Sequence, residues 1–384
     1  MNKVIYISWI PITARIARDW NFDCLVDAKL PVEYWNASVL LFGCGGSKSS
    51  ERPNSHTLSN YQELESLLCM PENKKAIYMV LASCGPRTAR LYRILSKCSC
   101  RMFYITWNTI PPVQKTNILK RAFSQSGSFL VSVYGRMLIS SYKMLGLIKK
   151  YEVVFAAGKI LEASDYYAQK VVPINMIDYD HVLRERMNPT RPLVLGNYVV
   201  FLDQNLTAHP DLEFSGIRPL SKEAYFQAME KYFKRIEDQY KTQVVIASHP
   251  TANGDDASYG GRKTFKDCTC NLIKYSECVI THYSNSISYA VIFNKPLVLV
   301  YTNEMIALHK ARMVDYIFRL ARALKTSAVN VDEVSVGALS TIPNPDVEAY
   351  RDYVYNYLTN TVSEHTETSD IFLKEIQQGF AIGF

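Results

Sequence analysis

The stretch Ile246-Ala247-Ser248-His249-Pro250 and, further along, Val279-Ile280-Thr281-His282-Tyr283-Ser284-Asn285-Ser286 decide the fold. Each is a short apolar run that ends on hydroxyl or imidazole side chains, the pattern of a buried parallel strand giving way to a helix. Ligands of open α/β sheets bind outside the carboxyl ends of such strands, and helix N-termini favour anions. The two stretches therefore predict a site for a phosphorylated ligand, either a nucleotide or a phosphorylated sugar.

The same alternation surrounds them. Strands are predicted over 198–202, 244–247, 278–281 and 297–301, with helices over 222–240, 271–275, 286–293 and 304–324. An earlier alternation has strands over 4–8, 39–42, 76–82, 102–107 and 153–156, helices over 61–70 and 87–97, and a longer helix or helix pair over 128–151. Such alternation implies parallel sheets covered on both faces. The polar segment Asn188-Pro189-Thr190-Arg191-Pro192 reads as a linker, and Pro343-Asn344-Pro345 opens a last helix over 346–359. The predicted class is α/β: a Rossmann-like domain over 1–190, a second over 191–342, and C-terminal helices over 343–384 that are free to pack back on the first domain.

Composition narrows the function. With 384 residues, 48% hydrophobic and 21% charged, the chain is globular and long enough for two domains. No apolar run approaches the ~18 residues of a membrane span. After Lys3 the start has only a short apolar stretch before Arg15, Arg18 and Asp19, unlike a signal peptide, so a cytoplasmic protein is expected. The nine cysteines have no framework spacing, and a set drawn from Cys268, Cys270, Cys278 and His282 does not match common zinc spacings, so no metal is expected. A net charge of +7 suits an anionic partner such as a nucleotide, nucleic acid or anionic leaflet. The absence of a clustered basic run or a binding module speaks against nucleic acid.

Individual residues carry the chemistry. Pro250 biases His249 to extended geometry, which holds an imidazole at the strand exit to meet a phosphate oxygen or a loop carbonyl. Ser284, Asn285 and Ser286 open a helix, as an N-cap or as donors to a phosphate. His282 either lines the same pocket or stays buried. Gly260-Gly261-Arg262-Lys263 offers close backbone approach and cations for a carboxylate or phosphate, with an exposed loop as the alternative. Asp203 and Gln204 end the 198–202 strand, facing a ligand or forming a turn. The glycine-rich stretch from Gly43 to Lys48 lacks the order of a P-loop or a dinucleotide fingerprint and reads as a turn. The basic, apolar segment from Arg136 to Lys150 suits a membrane surface or a core face with a solvated edge.

His249-Pro250 and Ser284-x-Ser286 resemble the HP and Ser/Thr motifs of bacterial transferases that use CMP-activated sugars, such as sialyltransferases and Kdo transferases. Residues 260–263 and 282–296 are similar to proteins of capsule and O-antigen biosynthesis. The resemblance covers mainly 198–303 and implies a GT-B fold, two Rossmann-like domains facing a cleft. It further implies an inverting glycosyltransferase that moves an acidic sugar from a CMP donor to a glycan or lipid-linked glycan, with no cofactor beyond the nucleotide sugar. His249, Ser284 and Ser286 would hold the nucleotide phosphate, and Arg262 or Lys263 the donor carboxylate. Asp19, beside Trp20 and near Asp23 and Asp27, or Asp180 in Asp178-Tyr179-Asp180, would be the base. Peripheral contact with the inner membrane would suit a lipid-linked acceptor. Alternatives are a UDP- or GDP-sugar transferase, a sugar-nucleotide epimerase, or a non-catalytic glycan- or nucleotide-binding protein.

Overall fold

A computed structural model describes residues 2–43, 54–107, 126–208, 217–252, 259–333 and 342–382, with backbone alone at 126–132, 311–312 and 382. The described chain divides into two compact units: residues to 107 with 126–175 and 360–382 form unit 1, and 176–359 form unit 2.

Unit 1 is built on β1 (Val4–Ser8), β2 (Val32–Asn36), β3 (Ser55–Thr57), β4 (Ile77–Val80), β5 (Arg101–Thr106), β6 (Tyr151–Ala157) and β7 (Ala168–Ile174). They form one parallel sheet in the order β3-β2-β1-β4-β5-β6-β7. The central strands β1 and β4 are buried at every residue, as expected when helices cover both faces. The helices are α1 (Ala14–Asp19), α2 (Phe22–Asp27), α3 (Ser38–Phe42), α4 (Tyr61–Cys69), α5 (Ala89–Lys97) and α6 (Ser126–Met144). Thr13 caps α1 and Asn60 caps α4, each side-chain oxygen accepting from the third backbone N–H beyond it.

Residues 39–42, expected as a strand, are helical. A short apolar run carries no decisive period. Here the Asn36 side chain accepts from the Ser38 N–H at 2.9 Å and turns the chain into α3, while the strand itself lies just before, at β2. Gly43, at φ 71°, ends α3; the remainder of the glycine-rich stretch falls outside the described residues. Strand β7 escaped notice because Lys170 and Pro173 break its apolar pattern, which a sheet edge tolerates.

Unit 2 is built on β8 (Tyr198–Leu202), β9 (Gln243–Ser248), β10 (Thr264–Lys266), β11 (Cys278–Thr281), β12 (Leu297–Tyr301) and β13 (Ser327–Asn330), all parallel in the order β10-β9-β8-β11-β12-β13. Its helices are α7 (Ile177–Met187), α8 (Lys222–Tyr240), α9 (Thr269–Tyr275), α10 (Ile287–Ile292), α11 (Asn303–His309), α12 (Asp315–Ala323) and α13 (Val347–Tyr353), with a π-helical turn between α11 and α12. In both units the strand order reverses beside the first strand, between β1 and β4 and between β8 and β11.

The 188–192 segment belongs to unit 2. The Tyr275 hydroxyl donates to the Thr190 carbonyl at 2.6 Å, and the Asn271 amide donates to the Arg191 carbonyl at 2.9 Å. The chain passes between units at 175–176, where α7 joins unit 2 through a Ser288–Asp178 hydrogen bond and a His181–Tyr289 contact at 2.6 Å. It returns at 359–360, so α13 remains in unit 2 and only α14 (Thr368–Ile382) rejoins unit 1. There Phe372 packs on Phe155 with ring centroids 4.8 Å apart, and Lys170 pairs with Glu375 at 2.7 Å. Among the described residues no helix is long and apolar enough to cross a membrane.

Candidate functional site

The carboxyl edge of the unit 2 sheet gathers polar side chains where the strand order reverses. Leaving β8, Gln204 reaches toward β11: its Oε1 accepts from the Tyr283 N–H at 2.8 Å. Asn205, in left-handed geometry at φ 51°, reaches the other way, and its amide donates to the Thr251 hydroxyl at 3.2 Å beyond β9. One strand exit thus braces both neighbours, which fixes the position of three loops at once.

His249 is oriented within this frame. Its Nδ1 accepts from the Thr251 N–H at 3.2 Å and lies 2.8 Å from the Thr251 hydroxyl. A backbone N–H can only donate, so Nδ1 holds the lone pair and the proton of the neutral ring sits on Nε2, making that nitrogen a donor. The turn closes with the Ala252 N–H donating to the His249 carbonyl at 2.9 Å, and His249 is half-buried while Pro250 is exposed. After β11, the Ser284 hydroxyl accepts from the Ser286 N–H at 3.2 Å. Ser286 itself makes no side-chain cap to α10, so its hydroxyl, half-buried beside the exposed Asn285, is not needed for the helix.

A buried polar network supports the edge. The Tyr259 hydroxyl donates to Asp203 Oδ1 at 2.8 Å, and the same oxygen accepts from the Asn205 N–H at 2.9 Å. Beneath it, His282 is wholly buried: Nδ1 donates to the Val300 carbonyl at 2.6 Å and Nε2 accepts from the Tyr225 hydroxyl at 2.8 Å. Burial pushes the His282 pKa down to about 4 and holds Tyr225 and Tyr259 well above the usual phenol range. Both His282 nitrogens are therefore committed to the fold, and the expectation that His282 meets a ligand is corrected. Asp203 likewise braces the loop. Cys268, Cys270, Cys278 and His282 form no metal-ligating group.

Arg262 is also corrected. Its Nε and Nη2 donate to both Glu237 oxygens at 2.8 and 2.7 Å, Nη1 donates to the Tyr259 carbonyl at 2.9 Å, and the guanidinium lies over the Phe233 ring. This fork clamps the loop after β9 to α8. Gly260 and Gly261, at φ 65° and 75°, take left-handed geometry that favours glycine and lead the chain into Arg262. Lys263 precedes β10, and its carbonyl accepts from the Ile246 N–H at 2.9 Å, away from the carboxyl edge. Lys266, paired in register with Ser248, is a cation at that edge. Replacing Arg262 by methionine is expected to cost about 2–3 kcal/mol of stability, because Glu237 is left partly buried without its fork. Urea unfolding checks this, and an unchanged midpoint would refute the clamp.

Two further residues were not anticipated. Thr251, which follows the His-Pro pair, supplies the hydroxyl that links Asn205 to His249. Glu304, in the first turn of α11, accepts from the Ser221 N–H at 2.8 Å through Oε1, while its buried Oε2 has no hydrogen-bond partner among the described residues. A buried, unmatched carboxylate oxygen is costly unless something donates to it.

Of the candidate bases, Asp19 is in unit 1 and Asp180 in unit 2. Asp19 ends α1, contacting Arg15 at 3.4 Å and Arg18 at 3.2 Å. By the next residue the chain has come back beside the middle of β1, where the Tyr6 hydroxyl donates to the Trp20 carbonyl at 3.0 Å. Asp180 is buried in the first turn of α7 and belongs to unit 2, not to the first domain as expected.

Two doubly wound parallel-sheet units, the second with its candidate site at a strand-order reversal, define the chain as a GT-B fold. Over its whole length it is similar to solved structures of that fold. The calicheamicin glycosyltransferase CalG4 matches with a TM-score of 0.52 at 10% identity, covering 100% of this chain and 99% of that one. A co-structure of S. aureus MnaA with UDP gives 0.51 at 14% identity, covering 100% and 98%. The wall teichoic acid polymerase TagF gives 0.52 at 9% identity, covering 98% and 89%. No protein-family profile matches the sequence, and no curated protein matches it.

Proposed function

We propose that the chain is a nucleotide-sugar-dependent glycosyltransferase whose donor phosphate docks on the carboxyl edge of unit 2, between His249 and the Ser284–Ser286 turn. The observation that carries this reading is the convergence of Gln204, Asn205, His249, Thr251 and Tyr283 at the reversal of strand order. In the transfer, the bond from the anomeric carbon to the donor phosphate breaks as a bond to the acceptor oxygen forms. Negative charge then accumulates on the leaving phosphate. A pre-oriented Nε2–H of His249 and the serine hydroxyls stabilise that charge more than the bound donor, which is what lowers a barrier. The acceptor proton needs a base; the sequence offers Asp19, in unit 1, and Asp180, in unit 2.

The donor is best tested as a UDP-sugar first. The CMP-linked acidic sugar is implied by the resemblance of His249-Pro250 and Ser284-x-Ser286; of the two cations that would meet its carboxylate, Arg262 is engaged by Glu237. The similarity to the MnaA structure, which holds UDP, supports a uridine nucleotide at the same level as the fold. A role in surface-polysaccharide synthesis with a glycan acceptor remains part of the proposal on the motif resemblance alone.

Thermal unfolding with UDP, CMP, GDP and NAD in parallel tests the reading. A nucleotide at ~100 times its Kd adds about 2.7 kcal/mol, a shift of several degrees. Selective stabilisation by UDP or CMP assigns the donor class, and no shift with any nucleotide would discard the nucleotide-sugar reading. Conversion of the nucleotide sugar without an acceptor would instead indicate an epimerase.

A further inference from the structure

In unit 1, α6 is amphipathic in the wrong sense for a helix that only packs. Its inward side has Gly135, where a Cβ would stand 2.4 Å from Pro86, and the buried Ile139; buried Ile148 follows the helix. Its outward side and the turn after it expose Tyr134 at 69%, Met137 at 64%, Met144 at 82%, Leu145 at 66% and Leu147 at 41%. Large apolar side chains so exposed and so close together are unusual on a protein that meets only water.

Charge accompanies them. Residues 126–150 contain Arg136, Lys143, Lys149 and Lys150 and no acid. Beside α6, exposed Arg90, Arg93 and Lys97 lie along one side of α5 and line an open depression of about 700 Å³ together with Tyr142, Leu138 and Leu147. Glu65 is the acid at its margin. Arg90 stacks over Tyr61 at 4.2 Å and Arg93 over Tyr142 at 4.9 Å, which holds the guanidinium groups in position.

We propose that this α5–α6 face docks on an anionic phospholipid bilayer, the exposed apolar side chains of α6 entering the headgroup–acyl boundary while the cations of α5 meet lipid phosphates in the depression. The combination of an apolar ridge with a cationic, nearly acid-free border matches both halves of such a surface. A neutral protein partner would match only the ridge. The inference is independent of the reaction proposed above.

Flotation of the full chain with vesicles tests it. Binding is expected to vesicles containing phosphatidylglycerol, little to pure phosphatidylcholine, and less at high salt. Arg93→Gln with Lys97→Gln should weaken partitioning about 25-fold, at roughly fivefold per cation. Met144→Glu with Leu145→Glu, at exposed positions where thermal unfolding should be unchanged, should abolish it. Equal binding to both vesicle types, no binding to either, or undiminished binding of the Met144/Leu145 variant would overturn the proposal. So would a wild-type dimer that the latter variant converts to monomer, since the ridge would then be covered by a second copy.

Discussion

His249→Ala is expected to lower turnover of a nucleotide sugar about 100-fold while leaving the melting temperature nearly unchanged. A donor aimed at charge that develops in the transition state contributes about 3 kcal/mol, hence the magnitude. The described hydrogen bonds of the half-buried ring are to the N–H and hydroxyl of Thr251, within one turn at the strand exit, and the small effect expected on stability reflects that local setting. The loss should appear mainly in kcat, because charge on the leaving phosphate grows after binding. Thr251→Val should produce a milder form of the same defect, since it removes the hydroxyl that links His249 to Asn205 while the Thr251 N–H that fixes the tautomer remains. Steady-state kinetics of the two variants decide the matter. Turnover of His249→Ala within a few-fold of wild type would remove this histidine from the chemistry.

Lowering the pH from neutral to 4 is expected to destabilise unit 2 by about 3 kcal/mol through His282 alone. The folded chain holds this imidazole at about 4 by burial, against 6.5 for the free ring. Above pH 6.5 neither folded nor unfolded chain carries the proton, and the effect is absent. Between 6.5 and 4 the unfolded chain takes up a proton that the folded chain refuses, so stability falls as pH falls, at about 1.4 kcal/mol per unit. Below 4 the folded chain is protonated too and the slope from this group ends. His282→Asn keeps a donor for the Val300 carbonyl but cannot titrate. It should start less stable, having lost the Tyr225 contact, yet lose less on acidification. Urea unfolding of both chains at pH 7 and 4.5 measures the difference, and parallel losses would show that His282 does not carry it.

How far the sequence could be read follows from where each residue finds its partners. The ends of β8, β9 and β11 were legible because central parallel strands are continuous apolar runs and polar letters begin where they end. The β2 strand was missed, and α3 was read as a strand, because a short apolar run next to a turn has no period to distinguish the two, whereas β3, Ser55-His56-Thr57, is polar and exposed and carries no apolar signal at all. The roles of His282 and Arg262 were misread for a different reason. A histidine at a strand exit and an arginine after two glycines look the same whether they face a ligand or a partner side chain, and the partners, Tyr225 and Glu237, lie 57 and 25 residues away.

By itself, then, the chain's sequence determined two alternating α/β regions, the strand exits that carry imidazole and hydroxyl groups, and a basic, apolar segment over 136–150. These are local properties, set by burial on both faces of a strand and by the side chains that follow it. Tertiary structure alone decided which exits are neighbours, because strand order is a matter of long-range pairing: β8 lies between β9 and β11, so Gln204 and Asn205 can brace both. It also decided which polar groups are buried in the fold and which stay at the edge, and it turned the apolar side of α6 outward, since Gly135 and Ile139 rather than the larger side chains fit against the rest of unit 1.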